Sequence, residues 1–316
     1  MAYEFHNLLV SSLAALLTRL ITHPLDTLKT RLQVSGKNQG IFYTLRKILA
    51  TESVWALYKG LGIALAFNAP ALTMFLSVYD WTKHFLEIHF NLSSLSLFNH
   101  LISGCMAEIV SGMFWTPMEI IKSKLQVSGM HPAIPDVIQE EDTVGLTTLE
   151  PESYSSHGYS DINTLSVIRN IFEVEGPLGF FKGYWLSLLV FIPNSMIYFA
   201  FYEYFKGLIL GHVSTAASPN SAPSTLLTGL IYATSAILSC TLAAGTSNLP
   251  DVIKTRWQVL SQHERDRFGG PTKMAIHMWE TEGGLLAFTQ GMGARIAFMA
   301  PSTVISMTIY DLLKWP

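Results

Sequence analysis

The sequence predicts an all-α membrane protein: six transmembrane helices in three pseudo-threefold repeats, with short helices at the membrane surface. Three observations carry that prediction. Of 316 residues, 49% are hydrophobic and only 14% charged, against about 25% charged in soluble domains. Six apolar segments, roughly 5–32, 61–90, 97–126, 184–210, 224–258 and 292–314, each reach the ~20 residues that a membrane helix needs. One motif closes three of them. It reads Pro24-Leu25-Asp26-Thr27-Leu28-Lys29-Thr30-Arg31-Leu32-Gln33, then Pro117-Met118-Glu119-Ile120-Ile121-Lys122-Ser123-Lys124-Leu125-Gln126, then Pro250-Asp251-Val252-Ile253-Lys254-Thr255-Arg256-Trp257-Gln258. In the third copy the proline stands next to the acid, and Leu249 occupies the place of Pro24 and Pro117. Self-similarity of this kind is the signature of a repeat architecture.

Taken in order, each repeat is helix, surface helix, helix. Segment 5–32 holds one mid-segment base, Arg19. An amphipathic piece at 41–51 follows, with Leu45, Ile48 and Leu49 on one helical face. Its counterparts are 162–173, with Ile162, Leu165, Ile168, Ile171 and Phe172, and 272–279. Such pieces fit helices lying in the membrane interface. Each ends in a second signature: Glu52…Tyr58-Lys59-Gly60, Glu175-Gly176…Phe181-Lys182-Gly183 and Glu282-Gly283…Phe288-Thr289-Gln290-Gly291. Ser53 replaces a glycine in the first copy, and the third lacks the lysine. A third signature closes the even segments: Tyr79-Asp80-Trp81-Thr82-Lys83, Tyr202-Glu203-Tyr204-Phe205-Lys206 and Tyr310-Asp311-Leu312-Leu313-Lys314. The repeats are bounded at 1–92, 97–211 and 224–316. An acidic insertion at about 127–157, with Asp136, Glu140, Glu141, Asp142, Glu150 and Glu152 among Pro, Ser and Thr, reads as solvated and disordered.

Composition excludes several function classes. A net charge of −3 and a pI near 6.4 leave no basic footprint for nucleic acid. Cys105 and Cys240 both lie in apolar stretches and read as buried small residues. The first residues lack the basic start of a secretory signal and the Arg-rich look of a transit peptide, so targeting is expected to be internal. Metal-ligand spacing, a nucleophile elbow and a P-loop are all missing from the sequence, and an enzyme is not expected.

Charges at both ends of apolar helices are expensive, so they should face the interior and pair. One end holds Asp26, Glu119 and Asp251 with Lys29, Lys122 and Lys254; the other holds Asp80, Glu203 and Asp311 with Lys83, Lys206 and Lys314. Threefold symmetry closes each set into a ring, the acid of one repeat facing the base of the next. Two such rings act either as permanent staples or as two gates that open in turn around a central site.

The sequence resembles the mitochondrial carrier family over nearly its whole length. The resemblance rests on the three proline–acid–base–Gln motifs, the three aromatic–acid–Lys motifs and the Glu…aromatic-Lys-Gly linkers. It implies a multi-pass, monomeric solute carrier of the mitochondrial inner membrane, with the surface helices on the matrix side. The first motif then forms a matrix-side salt-bridge network braced by Gln33, Gln126 and Gln258. The second forms a cytoplasmic-side network braced by Tyr79, Tyr202 and Tyr310. The linkers and surface-helix starts imply bound cardiolipin. Departures from the family pattern are Leu249-Pro250, Ser53, the third linker and the acidic pI.

A threefold scaffold carrying an asymmetric solute must bind it where the repeats differ. Five residues before Pro24, Pro117 and Leu249 stand Arg19, Gly112 and Ala244; nine before stand Ala15, Glu108 and Cys240. Arg19 and Glu108 are therefore alone at their levels, about 6 Å apart in depth at 1.5 Å per residue. They either neutralise each other or clamp a zwitterion, Arg19 taking a carboxylate and Glu108 an ammonium group. Three residues before Pro70, Pro193 and Pro301 stand Phe67, Val190 and Phe298, with Phe191 next to the second. The resemblance makes these the main substrate contacts. Being apolar, they speak against nucleotides, phosphate and di- or tricarboxylates, which need cationic partners. Asn194, Ser195, Ser302 and Thr303 could add hydrogen bonds. Ile192-Pro193-Asn194-Ser195, Gly293-Ala294-Arg295 and Ala300-Pro301-Ser302-Thr303 resemble the branch of the family that includes the branched-chain amino-acid carrier. The expectation is a carrier of a small neutral or zwitterionic solute. Proton or fatty-acid-anion conductance and a non-transporting adaptor stand as alternatives.

Overall fold

The computed structural model describes residues 2–36, 39–93, 96–128, 130, 163–216 and 225–313. The carboxylates of the acidic insertion lie outside them. Helices make up the described chain, and no strand occurs among the described residues. Six long helices form a closed ring: α1 (Ala2–Val34), α3 (Leu61–Phe90), α4 (Leu97–Val127), α6 (Tyr184–Ala216), α7 (Thr225–Thr246) and α12 (Met292–Leu313), with α12 packing back on α1. Among the described residues Val54–Phe90, Pro177–His212 and Leu227–Thr246 are long and apolar enough to cross a membrane. The short helices α2 (Ile41–Thr51), α5 (Thr164–Glu175) and α10 (Pro271–Thr281) lie between the long ones, at the places the periodicity predicts. Both cysteines are free.

Each repeat has its own small core beneath the proline motif. In the first, Leu28 of α1 packs on Ile48 of α2 with Ala56 and Leu57. In the second, Ile120, Ile121 and Leu125 of α4 pack on Val167 and Ile171 of α5. In the third, Val252 packs on Met274 and Met278 of α10 with Ala287 and Phe288. An apolar stripe on one side of each short helix is what makes this docking possible.

The linker glycines are explained by the joints between repeats. Gly60, Gly183 and Gly291 have φ of 82°, 90° and 72°, the left-handed region that favours glycine. A Cβ on Gly60 would stand 3.0 Å from Lys122 Cγ, one on Gly183 3.3 Å from Gln258 Cγ, and one on Gly291 2.7 Å from Gln33 Cγ. Each linker therefore presses its bare backbone against the motif helix of the following repeat. The interlocking is cyclic, as the symmetry demands.

The third repeat departs from the expected pattern in two ways. The segment 224–258 is not one helix. α7 ends at Thr246, Ser247 adopts φ −93° and ψ 9°, and α8 (Asn248–Val259) begins immediately after. The cause is the shifted proline. A prolyl ring clashes with the carbonyl four residues back, here Thr246, and is tolerated in a first helical turn, where Pro250 now lies. Pro24 and Pro117 instead sit inside uninterrupted helices. The second departure is an additional helix, α9 (Gln262–Phe268), opened by a capping box in which Glu264 N–H donates to Ser261 Oγ and Ser261 N–H to Glu264 Oε2. The Ser-x-x-Glu spacing at 261–264 was a legible signal for it. The last short helix is α11 (Leu285–Phe288).

Candidate functional site

At the proline end of the ring the three predicted charge pairs are all closed. Lys122 Nζ lies 2.8 Å from Asp26 Oδ2, Lys254 Nζ 2.7 Å from Glu119 Oε2, and Lys29 Nζ 2.8 Å from Asp251 Oδ2. Each pair joins the acid of one repeat to the base of another. Two of the three glutamines brace it. Gln33 Nε2 donates to Asp251 Oδ2 at 2.7 Å and its Oε1 accepts from Thr255 at 2.9 Å. Gln126 Nε2 donates to Asp26 Oδ2 at 3.3 Å and its Oε1 accepts from Thr30 at 2.8 Å. Gln258 departs from the expected brace: it is buried, and its Nε2 makes no hydrogen bond among the described residues. The position equivalent to Thr30 and Thr255 is Ser123, which lacks their methyl group.

The second base of each motif holds the glutamate of its own linker. Arg31 reaches Glu52 at 2.5 and 3.0 Å, Lys124 reaches Glu175 at 3.1 Å, and Arg256 binds Glu282. Both arginines also tie repeats together, Arg31 Nε donating to Gln126 O at 2.8 Å and Arg256 Nε to Gln33 O at 2.7 Å. Arg265 of α9 adds a further tie, from the third repeat onto Glu175 of the second. Burial pushes the Glu175 carboxyl up, but Lys124, Arg265 and Lys182 outweigh it and hold it below the usual carboxylate range. Glu52 behaves alike, burial being outweighed by Arg31 and Lys59.

The aromatic end is different. Glu203 and Lys206 pair with each other at 2.8 Å along α6, not across repeats. Lys206 stands 5.5 Å over the Tyr202 ring and Lys83 6.0 Å over the Tyr79 ring. Tyr79 Oη shares a 2.5 Å hydrogen bond with His100 Nδ1. Asp80 and Lys83 make no ion pair among the described residues. The side chains of Tyr310, Asp311 and Lys314 lie outside them. The second ring expected from the motif is therefore open where it is described. This end of the chamber lacks inter-repeat charge pairs among the described residues.

Between the ends lies a cavity of about 420 Å³ with the closed network as its floor. Of the predicted contact residues, Arg19, Glu108, Phe191, Asn194 and Phe298 line it. Val190 does not: it is fully buried, and its neighbour Phe191 faces the cavity. One residue is about a 100° turn of a helix, so alignment by proline offset alone misplaced this side chain. Phe67 is also missing from that wall; Leu72 and Phe75, a turn or more beyond it on α3, take its place. Arg19 and Glu108 do not neutralise each other. The carboxylate near Arg19 is Asp26, at 3.7 Å, and Glu108 has no ion pair among the described residues. The wall is coupled to the floor through aromatic rings: Lys254 Nζ stands 4.1 Å over Phe191, and Arg19 Cζ 6.0 Å from the Phe298 ring centre.

Sequence reasoning gave Arg295 no role at the site. It is 2% exposed and fills the α7–α8 break, donating to Ser247 O at 2.7 Å and Ser247 Oγ at 2.9 Å, with Asp251 Oδ2 at 3.4 Å. Ser247 Oγ in turn donates to Asn194 Oδ1 at 2.8 Å. The Ser247 carbonyl, which also accepts from Asp251 N–H at 3.3 Å, thus has a charged donor beside the break. The signal was available: six residues before Pro70, Pro193 and Pro301 stand Ala64, Ser187 and Arg295, a charge in one repeat only.

Comparison with known proteins agrees with this architecture. The family model described as "Mitochondrial carrier protein" matches residues 3–90, 93–213 and 227–315. The chain is 29% identical to "Mitochondrial substrate carrier family protein E" of Dictyostelium discoideum, over 98% of this chain and 94% of that protein. It is 25% identical to human "Solute carrier family 25 member 44", over 95% and 87% of the two chains, and 25% identical to human "Mitoferrin-1", over 98% and 82%. With three matched repeats, a closed charge ring between them and a chamber above it, the chain belongs to the mitochondrial carrier family.

Proposed function

We propose that this transporter moves a small zwitterionic solute, an amino acid with an apolar body, across the mitochondrial inner membrane by alternating access. The closed network is its matrix-side gate, and the unpaired aromatic end its cytoplasmic-side gate, so the conformation described faces the cytoplasm. The observation that carries this reading is the chamber. In it Arg19 and Glu108 are not paired with each other and stand among aromatic rings above a complete charge network. A zwitterion bridging Arg19 and Glu108 would satisfy both charges at once, as buried charges require. It would also compete with Asp26 for Arg19, loosening the floor from above. Binding energy spent in that way shifts the population toward the opposite state. Cardiolipin at the linker and surface-helix junctions, and a monomeric carrier, belong to the same proposal.

The test is uptake by the purified protein in liposomes, across a panel of neutral amino acids, dicarboxylates, nucleotides and divalent cations. Saturable uptake of at least one neutral amino acid is expected, and Arg19→Ala should abolish it. Uptake confined to dicarboxylates, nucleotides or cations would overturn the zwitterion reading. Fatty-acid-dependent proton leak without solute uptake would replace it with anion conductance.

A further inference from the structure

A second cavity, of about 490 Å³, opens from the chamber on the Glu108 side. Glu108 and Phe75 line both spaces. Beyond Glu108 the walls are mainly apolar, with Leu76 from α3, Leu101 and Gly104 from α4 and Ile192, Met196 and Phe199 from α6. Tyr79, His100, Ser195 and Glu203 line the same space toward the aromatic end. The opposite side of the chamber is different in kind. There Arg19 and Phe298 border a third space walled by Thr18, Thr22, Asn68, Ser302, Thr303 and Ser306. The chamber thus has a hydroxyl-lined lobe beside Arg19 and a mainly apolar lobe beside Glu108.

We infer that the apolar lobe is the side-chain pocket of the solute, which makes the substrate class an α-amino acid with a branched or aromatic side chain. The inference rests on the zwitterion reading proposed above. With the carboxylate on Arg19 and the ammonium on Glu108, the remaining substituent has two directions to take. In the hydroxyl lobe, Thr18, Thr22, Ser302 and Thr303 already donate to backbone carbonyls, but laying the substituent there would still strip water from their oxygens and from Asn68 without replacing those bonds. Laying it in the apolar lobe removes hydrocarbon from water at no such cost. The size fits. Leu101 lies two turns from Glu108 on α4, about 10 Å at 1.5 Å per residue. A volume of 490 Å³ falls in the range of about 300–1,000 Å³ typical of small-molecule sites, so a methyl group would leave most of the lobe unfilled. Three attachment points that are not in line also distinguish mirror images, so one enantiomer should be strongly preferred.

Gly104 offers a direct test. It lines the lobe, and a Cβ added there meets nothing within 4 Å, so an alanine fits without displacing a neighbour. Wild-type protein in liposomes should take up leucine or phenylalanine at least about tenfold more efficiently than alanine, since one methylene in an apolar pocket discriminates by about 10–200-fold. Gly104→Ala should lower that ratio and Gly104→Leu should bring it close to one, with melting temperatures near wild type. Should the leucine variant prove unstable, the alanine variant still reads the ratio. A wild-type preference unchanged in both variants would overturn the lobe assignment while leaving the zwitterion reading intact. So would wild-type uptake indifferent to side-chain size. Equal uptake of the matching 2-oxo acids would remove the ammonium from Glu108 and overturn the amino-acid class. No amino-acid uptake by the wild type would sink the zwitterion reading itself, and this inference with it.

Discussion

The two ends of this carrier have the same written pattern, an acid and a base three residues apart in each repeat, and opposite structures. At the proline end Asp26, Asp251, Lys122 and Lys254 are all buried, and every pair crosses between repeats. At the aromatic end Glu203 is 66% exposed and pairs only with Lys206 on its own helix. The difference shows that a charge motif specifies a possible partner and not a formed bond. Desolvation decides what the bond is worth. An exposed pair contributes about 0–1 kcal/mol, whereas removing one member of a buried pair costs about 3–5 kcal/mol because its partner is stranded.

That contrast can be broken or sharpened by substitution. The largest effect is expected for Lys122→Ala, which leaves buried Asp26 only Arg19 at 3.7 Å and the Gln126 amide: up to about 3–5 kcal/mol of stability should be lost, read as a lower melting temperature in detergent. The swap Asp26→Lys with Lys122→Asp should recover part of the loss, and no recovery would argue against the pairing. Next is Gly291→Ala, which combines a left-handed φ of 72° with a Cβ 2.7 Å from Gln33. It should cost about 2–3 kcal/mol. Gly269→Ala, at φ 67° and ψ 7° with nothing closer than 3.5 Å to the added Cβ, should cost only the backbone penalty of about 1–2 kcal/mol. A similar loss in both would mean that the linker's pressure on Gln33 is immaterial. Third, Gln33→Ala removes a bond to a charged group and should cost about 1.5–3 kcal/mol. Gln258→Ala, which removes an amide whose Nε2 makes no bond, should melt close to wild type. The smallest effect belongs to the open end: Glu203→Gln should change stability by under about 1 kcal/mol, while slowing transport if that end must close during the cycle. Wild-type uptake in that variant would separate the aromatic end from the gating role.

Much of this was legible from the residues. The three motif copies, the Leu45–Ile48 stripe and the lone Arg19 and Glu108 are local features, and the structure places them as the pattern implies; Leu49, expected on the same face, is instead exposed. What went unread has identifiable causes. Val190 and Phe191 differ by one residue, and only packed helices show which of the two turns to the chamber. Gln258 carries the same letter as Gln33 and Gln126, yet the position equivalent to their threonine partners is Ser123, and the Gln258 Nε2 makes no hydrogen bond among the described residues. Arg295 was visible as an asymmetry, but its role depends on Ser247 and Asn194, which only the packed helices bring to its guanidinium.

By itself the sequence determined the repeat, the helical class, the pairing rule between repeats and the places where symmetry fails. Those are properties of spacing along one chain, and helical periodicity turns spacing into faces. Only the tertiary structure decided which ring is closed, which aromatic lines the chamber and where the apolar lobe opens. Each of these depends on distances between helices far apart in sequence, where a rotation of one residue or a separation of a few ångströms changes a buried ion pair into two solvated charges.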